Sequence, residues 1–305
     1  MAAPGTATPS PALLKVLDGT VDLHTHSGPS PFPRRLNHVE ASYDGARINM
    51  RGILVKSHHH NTVFDVLAMA DQLKDAPTPV YGGVALNSEV GGVNPSAVAV
   101  AIKMGGRCVW GPTVSALQHI QAHSHDDGFP TAGADLEEKV ESIWDESGEV
   151  SADAVRVTQL VADADILLSS GHLDVDSIRG LFQTAQKNGV KRLLLHHPDF
   201  IIGASPEAVR EFVGYGAYVE HEISMYHPDV AAPHWPIEQL INWIETIGPE
   251  HTVIDSDLGQ KENPLPVDGY IYIVQQLLDH GITEQDVRQM ICRNTAYLLG
   301  LEARP

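Results

Sequence analysis

The chain contains few cysteines and few basic side chains. Among its 305 residues only Cys108 and Cys292 are cysteines, and no C-x-x-C spacing joins them, so the sequence predicts neither a disulfide framework nor a thiolate zinc site. Lys and Arg number 20 against 39 Asp and Glu, giving a net charge of -19, which argues against nucleic acid or an anionic membrane as the partner.

Long apolar stretches are also missing. No segment approaches the ~20 apolar residues of a membrane span, and the N-terminus has no basic start followed by a continuous apolar run. We therefore expect a soluble, cytoplasmic protein without a signal peptide. Residues 1–18 are predicted to form a flexible N-terminal lead-in, and 19–305 a single domain.

No G-x-G-x-x-G or G-x-x-x-x-G-K-[ST] motif follows the first apolar run, which argues against a doubly wound nucleotide-binding sheet. Short apolar runs instead alternate with segments of helical periodicity, as in repeated βα units. The eight runs are "TVDLHTH", "GILVKSH", "VYGGVAL", "RCVWGPT", "ADILLSSGH", "KRLLLHH", "AYVEHEI" and "HTVIDSD". This pattern predicts a (β/α)8 TIM barrel, with a loop and helix inserted after the fourth strand at about residues 115–151.

Histidine, by contrast, is plentiful, with 17 residues. Five of the eight predicted strands end in His or Asp, and the C-terminal strand ends of a barrel carry its active site. His and Asp together suit a divalent metal such as zinc. These strand-end residues are His24, His26, His58, His172, His196 or His197, and Asp255 or Asp257.

The sequence resembles the amidohydrolase superfamily of metal-dependent hydrolases. The resemblance rests on the order and spacing of "HTH", "GH" at 171–172, "HHP", "DSD" and the closing "NTAYLLGL". It implies that His24, His26 and His172 hold the metal. It also implies that a histidine of the sixth strand ligates metal or polarises the substrate, and that an aspartate of the eighth strand ligates metal and accepts a proton from water.

In two pairs of candidate residues, only one member is assigned the catalytic role. His196 and His197 face opposite ways in a regular strand, and the proline after His197 places that residue at the strand end, so we assign the catalytic role to His197. For His196 the alternatives are packing outward beneath the following helix or a hydrogen bond to a backbone group. Asp255 and Asp257 share a face, and we assign the catalytic role to Asp257 because it is closer to the following loop. The other member of each pair remains an alternative.

The fourth run, "CVWGPT", lacks the lysine or glutamate that bridges two metals in binuclear members, so we expect one metal. Lys56 and His58 could instead hold a second metal or bind substrate. The favoured role of Lys56 is an ammonium group that binds a substrate carboxylate, and Arg34 and Arg35 are further candidates for neutralising an acidic group.

The expected reaction is metal-assisted hydrolysis of an amide, cyclic amide or lactone of a small molecule. The alternatives are metal-dependent decarboxylation of a small carboxylic acid and a non-catalytic metal-binding protein. The insertion histidines His119, His123 and His125 receive no role, and neither do the acids Glu220 and Glu222, which need hydrogen bonds or a metal if buried. Barrels of this kind commonly associate, so a homo-oligomer is a further expectation.

Overall fold

The computed structural model describes residues 8–123, 136, 139–230 and 235–301. Its eight strands form one parallel sheet in chain order. They are β1 (Val21–Thr25), β2 (Gly52–Val55), β3 (Val80–Ala85), β4 (Cys108–Trp110), β5 (Leu167–Ser169), β6 (Leu193–Leu195), β7 (Ala217–Glu222) and β8 (Thr252–Asp255).

One helix precedes the first strand, and at least one helix follows every strand. They are α1 (Pro11–Leu17), α2 (His38–Gly45), α3 (Thr62–Ala68), α4 (Ala70–Leu73), α5 (Pro95–Lys103), α6 (Leu117–His123), α7 (Ala152–Ala164), α8 (Val175–Lys187), α9 (Pro206–Gly214), α10 (Ile237–Ile247), α11 (Pro266–Asp279), α12 (Glu284–Arg288) and α13 (Asn294–Leu298). Side chains cap several of their N-termini, and Asn37 with Glu40 forms a capping box on α2.

The fold class expected from the sequence is confirmed. Each of the eight apolar runs contains one strand, and the alternation of strands and helices in chain order is that of a (β/α)8 TIM barrel. All strands except the start of β3 are buried along their whole length, as parallel strands covered on both faces are. This burial explains why β2, β4 and β6 are continuous apolar runs rather than alternating ones.

The chain divides into two compact units. Unit 1 contains the described parts of Met1–Lys56, Asp65–Tyr81 and Glu220–Pro305. Within it, β1 pairs with β2, Val21 lying opposite Gly52, and β1 also lies beside β8. Beyond the ends of β1 and β8, the Asp257 amide donates to the His24 carbonyl and the His26 amide to the Leu258 carbonyl, each at 2.8 Å.

Unit 2 contains the described parts of Ser57–Phe64 and Gly82–Val219. Its strands β4 and β5 pair in register, with Cys108 opposite Leu167 and Trp110 opposite Ser169. The predicted insertion follows β4 and includes helix α6. Nearer its end, Trp144 pairs with Val150 in a short antiparallel bridge, and the Trp144 indole donates to the Ser177 hydroxyl at 2.8 Å.

The N-terminal segment differs from the flexible lead-in expected over residues 1–18. Residues 11–17 form helix α1, which Ser10 caps and which begins with a proline at its first position. Leu13, Val16 and Leu17 are buried on one face of this helix. This short apolar face is what anchors the segment. Within the described residues, no helix combines the length and apolar character that a bilayer span requires.

Candidate metal centre

Three predicted ligands come together in unit 1. His24 lies in β1 and His26 follows it, while Asp257 follows β8. The His24 Nε2 lies 3.1 Å from the His26 Nε2, and the Asp257 Oδ1 lies 3.2 Å and 3.0 Å from those two atoms. Their ligand atoms therefore form a small triangle, as those of a metal site do.

The size of this triangle matches a zinc shell. Tetrahedral ligands at ~2.0–2.1 Å from zinc stand about 3.3–3.4 Å from one another, close to the observed separations. The donor set of two imidazoles and one carboxylate is also one that zinc accepts, with a further position open. The described residues thus fit a divalent cation, which both histidines and Asp257 would hold.

Hydrogen bonds to the other ring nitrogens orient both imidazoles. The His26 Nδ1–H donates to the Lys56 carbonyl, and the His24 Nδ1 pairs with the Glu220 carboxyl group, both at 3.1 Å. A proton on each Nδ1 leaves the Nε2 lone pairs directed at the triangle. Burial lowers the pKa of His26 to about 4, so its imidazole is neutral at pH 7. Such outer partners are typical of metal-bound histidines.

Lys56 lies against the same centre. Its side chain is fully buried, and its Nζ is 3.2 Å from the His24 Nε2. An ammonium group here donates to the lone pair that a metal would use, whereas a carbamate on this lysine would add an anionic ligand. The contact is compatible with both roles predicted for Lys56, substrate binding and a second metal site.

Asp257 is held by its backbone and by one hydroxyl. Its φ of 46° is in the left-handed region, which turns the chain out of β8. The Ser224 hydroxyl donates to Oδ2 at 3.0 Å, leaving Oδ1 toward the histidines. Gly259 follows with a φ of 121°, and a Cβ at this position would lie 2.5 Å from the His26 carbonyl oxygen. This turn requires glycine and brings the two strand ends together.

A layer of buried carboxyl groups lies beneath Asp257. Asp255 accepts a hydrogen bond from the Leu23 amide at 2.7 Å, and Asp22 accepts one from the Thr25 hydroxyl at 2.6 Å. Burial, followed by the charge of Asp22, raises the pKa of Asp255 well above its usual range. Burial, with Asp255 and Glu222 adding to it, does the same for the pKa of Glu220. A divalent cation nearby would favour the ionised form of these groups and so oppose this rise in pKa.

The remaining predicted histidines form a cluster within unit 2. The His172 Nδ1 lies 2.8 Å from the His119 Nδ1, and the His172 ring stacks on His196 with centroids 5.3 Å apart. The His197 ring is 5.1 Å from that of His172, and the His58 ring is 6.0 Å from it. His58 also bonds the Thr113 hydroxyl at 2.8 Å.

The distinction drawn between His196 and His197 has no counterpart in the structure. Strand β6 ends at Leu195, and His197 has a φ of 40°, so strand alternation does not apply to either residue. Both are buried, with ring centroids 4.0 Å apart. The His196 ring thus lies against both His172 and His197. The choice of His197 as the catalytic histidine stays a prediction.

Sequence reasoning assigned no role to several residues of these clusters. Glu220 bonds His24, and its presence beside Glu222 in a buried strand was the available signal. His119 reaches His172 from the inserted helix, which no strand-end pattern could reveal. Ser224 lies in a short helical turn after β7. His125 lies outside the described residues.

Family comparison identifies the chain. A family model described as "Family of unknown function (DUF6282)" matches residues 19–220, more than half of the chain, so the protein belongs to that family. A search of curated proteins found no match. The family description carries no activity.

Solved structures share the fold at low identity. An amidohydrolase from Pseudomonas aeruginosa is 13% identical with a TM-score of 0.62, over 95% of this chain and 98% of that one. A lactonase from Listeria monocytogenes is 14% identical with a TM-score of 0.56, over 93% and 95%. An Escherichia coli phosphotriesterase homology protein is 15% identical with a TM-score of 0.51, over 92% and 98%. The resemblance to the amidohydrolase superfamily is thus confirmed for the fold.

Proposed function

We propose that the protein is a metal-dependent hydrolase of the amidohydrolase type, acting on an amide, cyclic amide or lactone of a small molecule. The observation that carries the proposal is the triangle of His24 Nε2, His26 Nε2 and Asp257 Oδ1, with sides of 3.0–3.2 Å. The cation we expect is zinc. When bound, such a cation polarises a carbonyl and lowers the pKa of water from 15.7 toward ~7.

The chain's own residues would supply orientation and proton transfer. The Glu220 carboxylate and the Lys56 carbonyl hold the two imidazoles in the tautomer that presents Nε2. Asp257 would accept the proton of the attacking water and pass it to the leaving group, with Ser224 fixing the carboxylate. His172 and His197 stay predicted site residues, as metal ligand and as substrate-polarising group.

The first test is metal content and activity together. Zinc-loaded wild type should contain at least one zinc per chain and hydrolyse a member of a panel of amides, cyclic amides and lactones. The double change His24→Ala with His26→Ala should remove the zinc and the activity while circular dichroism still reports a folded chain. His280→Ala, on the exposed surface, is the matched control and should change neither quantity.

Three results would contradict this assignment. Undiminished zinc in the double variant would exclude the triangle as the metal site. Release of carbon dioxide from a carboxylic acid in the panel, without hydrolysis of any amide or lactone, would favour decarboxylation instead. Stoichiometric zinc with neither reaction would favour a metal-binding protein.

A further inference from the structure

We propose that Arg34 forms an oxyanion-binding subsite beside the metal centre, so that the amide or lactone substrate carries a carboxylate or phosphate group. The inference rests on the proposed function, since it names the substrate class of that same site. Its basis is a partly buried guanidinium to which the described chain offers no acceptor.

Among the described residues, the Arg34 side chain has no hydrogen-bond or ion-pair partner, unlike Arg47 and Arg192. Within the described residues its guanidinium makes no hydrogen bond and no ion pair, and its Nε is buried without an acceptor. Arg47 bonds Asp268 at 2.6 Å, and Arg192 bonds Asp165 at 2.9 Å. Burying a cation without a partner costs free energy, so a position of this kind needs another source of negative charge.

The charge of Arg34 acts on the metal centre. Burial lowers the pKa of its guanidinium to about 10, against an opposing effect of the Asp257 carboxylate, so the group stays protonated at neutral pH. The same positive charge contributes to the low pKa of His26. The main chain places Arg34 beside this centre, because Arg34 pairs with Gln260, whose side-chain amide donates to the Asp257 carbonyl at 3.0 Å.

The backbone fixes this position before any ligand binds. Arg34 pairs with Gln260 in an antiparallel bridge, and the next amide, of Arg35, donates to the Gly259 carbonyl at 2.9 Å. The segment that follows His26 is thereby tied to the segment that follows Asp257. The stem of Arg34 also packs along Gly28, where a Cβ would lie 3.6 Å away. A preorganised cation loses little freedom on binding an anion.

The guanidinium favours a ligand with an anionic oxygen group. Its planar fork of N–H donors matches the paired oxygens of a carboxylate or a phosphate, and an uncharged amide offers no equivalent. The neighbouring Arg35 is exposed and already donates to the Asn263 carbonyl at 2.6 Å. Arg35 thus provides a comparison at the adjacent position with a different environment.

The experiment uses three lactones that differ in one substituent. γ-Butyrolactone carrying a γ-carboxylate, the same ring with a γ-carboxamide, and the ring with a γ-phosphomethyl group are tested on zinc-loaded protein. Binding is measured by calorimetry and hydrolysis by kcat/KM. The variants are Arg34→Met and Arg34→Lys, with circular dichroism as a check on folding. Arg35→Met tests the other arginine considered for neutralising an acidic group, which this proposal leaves out because Arg35 already donates to the Asn263 carbonyl.

In wild type we expect an anionic lactone to bind more tightly than the carboxamide. Arg34→Met should reduce that preference by about 10-fold to 100-fold, the range of a hydrogen bond to a charged group, and raise KM more than it lowers kcat. Arg34→Lys should restore part of it, and Arg35→Met should keep it. Comparison of the two anionic lactones identifies carboxylate or phosphate as the group bound.

The outcomes separate this proposal from the proposed function. Equal binding of all three lactones by wild type, or an anion preference that survives in Arg34→Met, would overturn the subsite whether or not hydrolysis occurs. Binding of an anionic lactone that depends on Arg34, without hydrolysis of any ring, would support the subsite and count against hydrolysis. Hydrolysis with an Arg34-dependent preference would support both.

Discussion

At the candidate metal centre, the hydrogen-bond partners of the polar atoms determine how each side chain is oriented. His24 and His26 are oriented by Glu220 and by the Lys56 carbonyl, so that their Nε2 atoms and the Asp257 Oδ1 lie within 3.2 Å of each other. Asp255, two residues earlier, accepts a backbone hydrogen bond instead. The two aspartates therefore have separate environments although the sequence places them on one face.

Substituting each aspartate tests this difference. Asp257→Asn should keep much of the zinc, because an amide oxygen still coordinates weakly, and should lower kcat by roughly 100-fold to 10,000-fold, because an amide does not carry a proton. Asp255→Asn should keep most of the activity, because burial already favours the neutral form of that carboxyl. Steady-state kinetics on both variants make the comparison. An inactive Asp255→Asn with an active Asp257→Asn would reverse the assignment.

The predicted number of zinc ions per chain depends on the chemical state of Lys56. We expect near one zinc per chain in wild type, with Lys56 as an ammonium group. In that case Lys56→Met leaves the zinc content near one and raises KM for an acidic substrate. If Lys56 is instead a carbamate that bridges two ions, wild type holds near two zinc ions and Lys56→Met near one. Elemental analysis of both proteins, side by side, decides between these states.

The proximity of the three proposed ligands could be predicted from the sequence, because the strand order alone determines it. His24, His26 and Asp257 lie at or just beyond the ends of buried strands that are adjacent in the sheet, so their proximity follows from topology. The relation of His196 to His197 was not readable, because it depends on where β6 ends and on a positive φ at His197. Likewise, the unpartnered state of Arg34 depends on which of the described loop residues surround it.

Among the secondary-structure elements, the strands were predictable because burial on both faces leaves an apolar run in the sequence. Helix α1 was not, since its 7 residues show only one turn of apolar spacing between Pro-rich and Gly-containing neighbours. Its stability comes from packing: it contacts α11 and α12, and Leu17 is fully buried. The inserted helix α6 is similarly short, and its partner His172 is distant in sequence.

The contribution of α1 can be measured with two leucines of the same helix. Leu17→Ala should lower the free energy of unfolding by about 2–5 kcal/mol, the usual cost of truncating a buried leucine. Leu14→Ala should change it by less than about 1 kcal/mol, because Leu14 is 36% exposed. Urea denaturation followed by circular dichroism gives both values. Equal effects of the two changes would show that α1 is not anchored by its apolar face.

The molecule as a whole has a net charge of -19, and several of its acidic side chains are buried together in unit 1. Asp22, Glu220, Glu222 and Asp255 are fully or almost fully buried, and Asp257 lies above them. Burial raises the pKa of Asp22, Glu220 and Asp255, which means that ionising these groups opposes folding. A bound cation would relieve that cost, so metal binding and stability are expected to be linked.

This linkage gives the last prediction. Zinc that binds only the folded chain should raise its free energy of unfolding by about 4 kcal/mol when free zinc is 1,000 times its dissociation constant. Removing the metal with a chelator should therefore shift the urea midpoint to lower concentration, and added zinc should restore it. The His24→Ala, His26→Ala variant supplies the control, because its midpoint should not respond to zinc. An identical zinc response in that variant would locate the stabilising cation elsewhere in the chain.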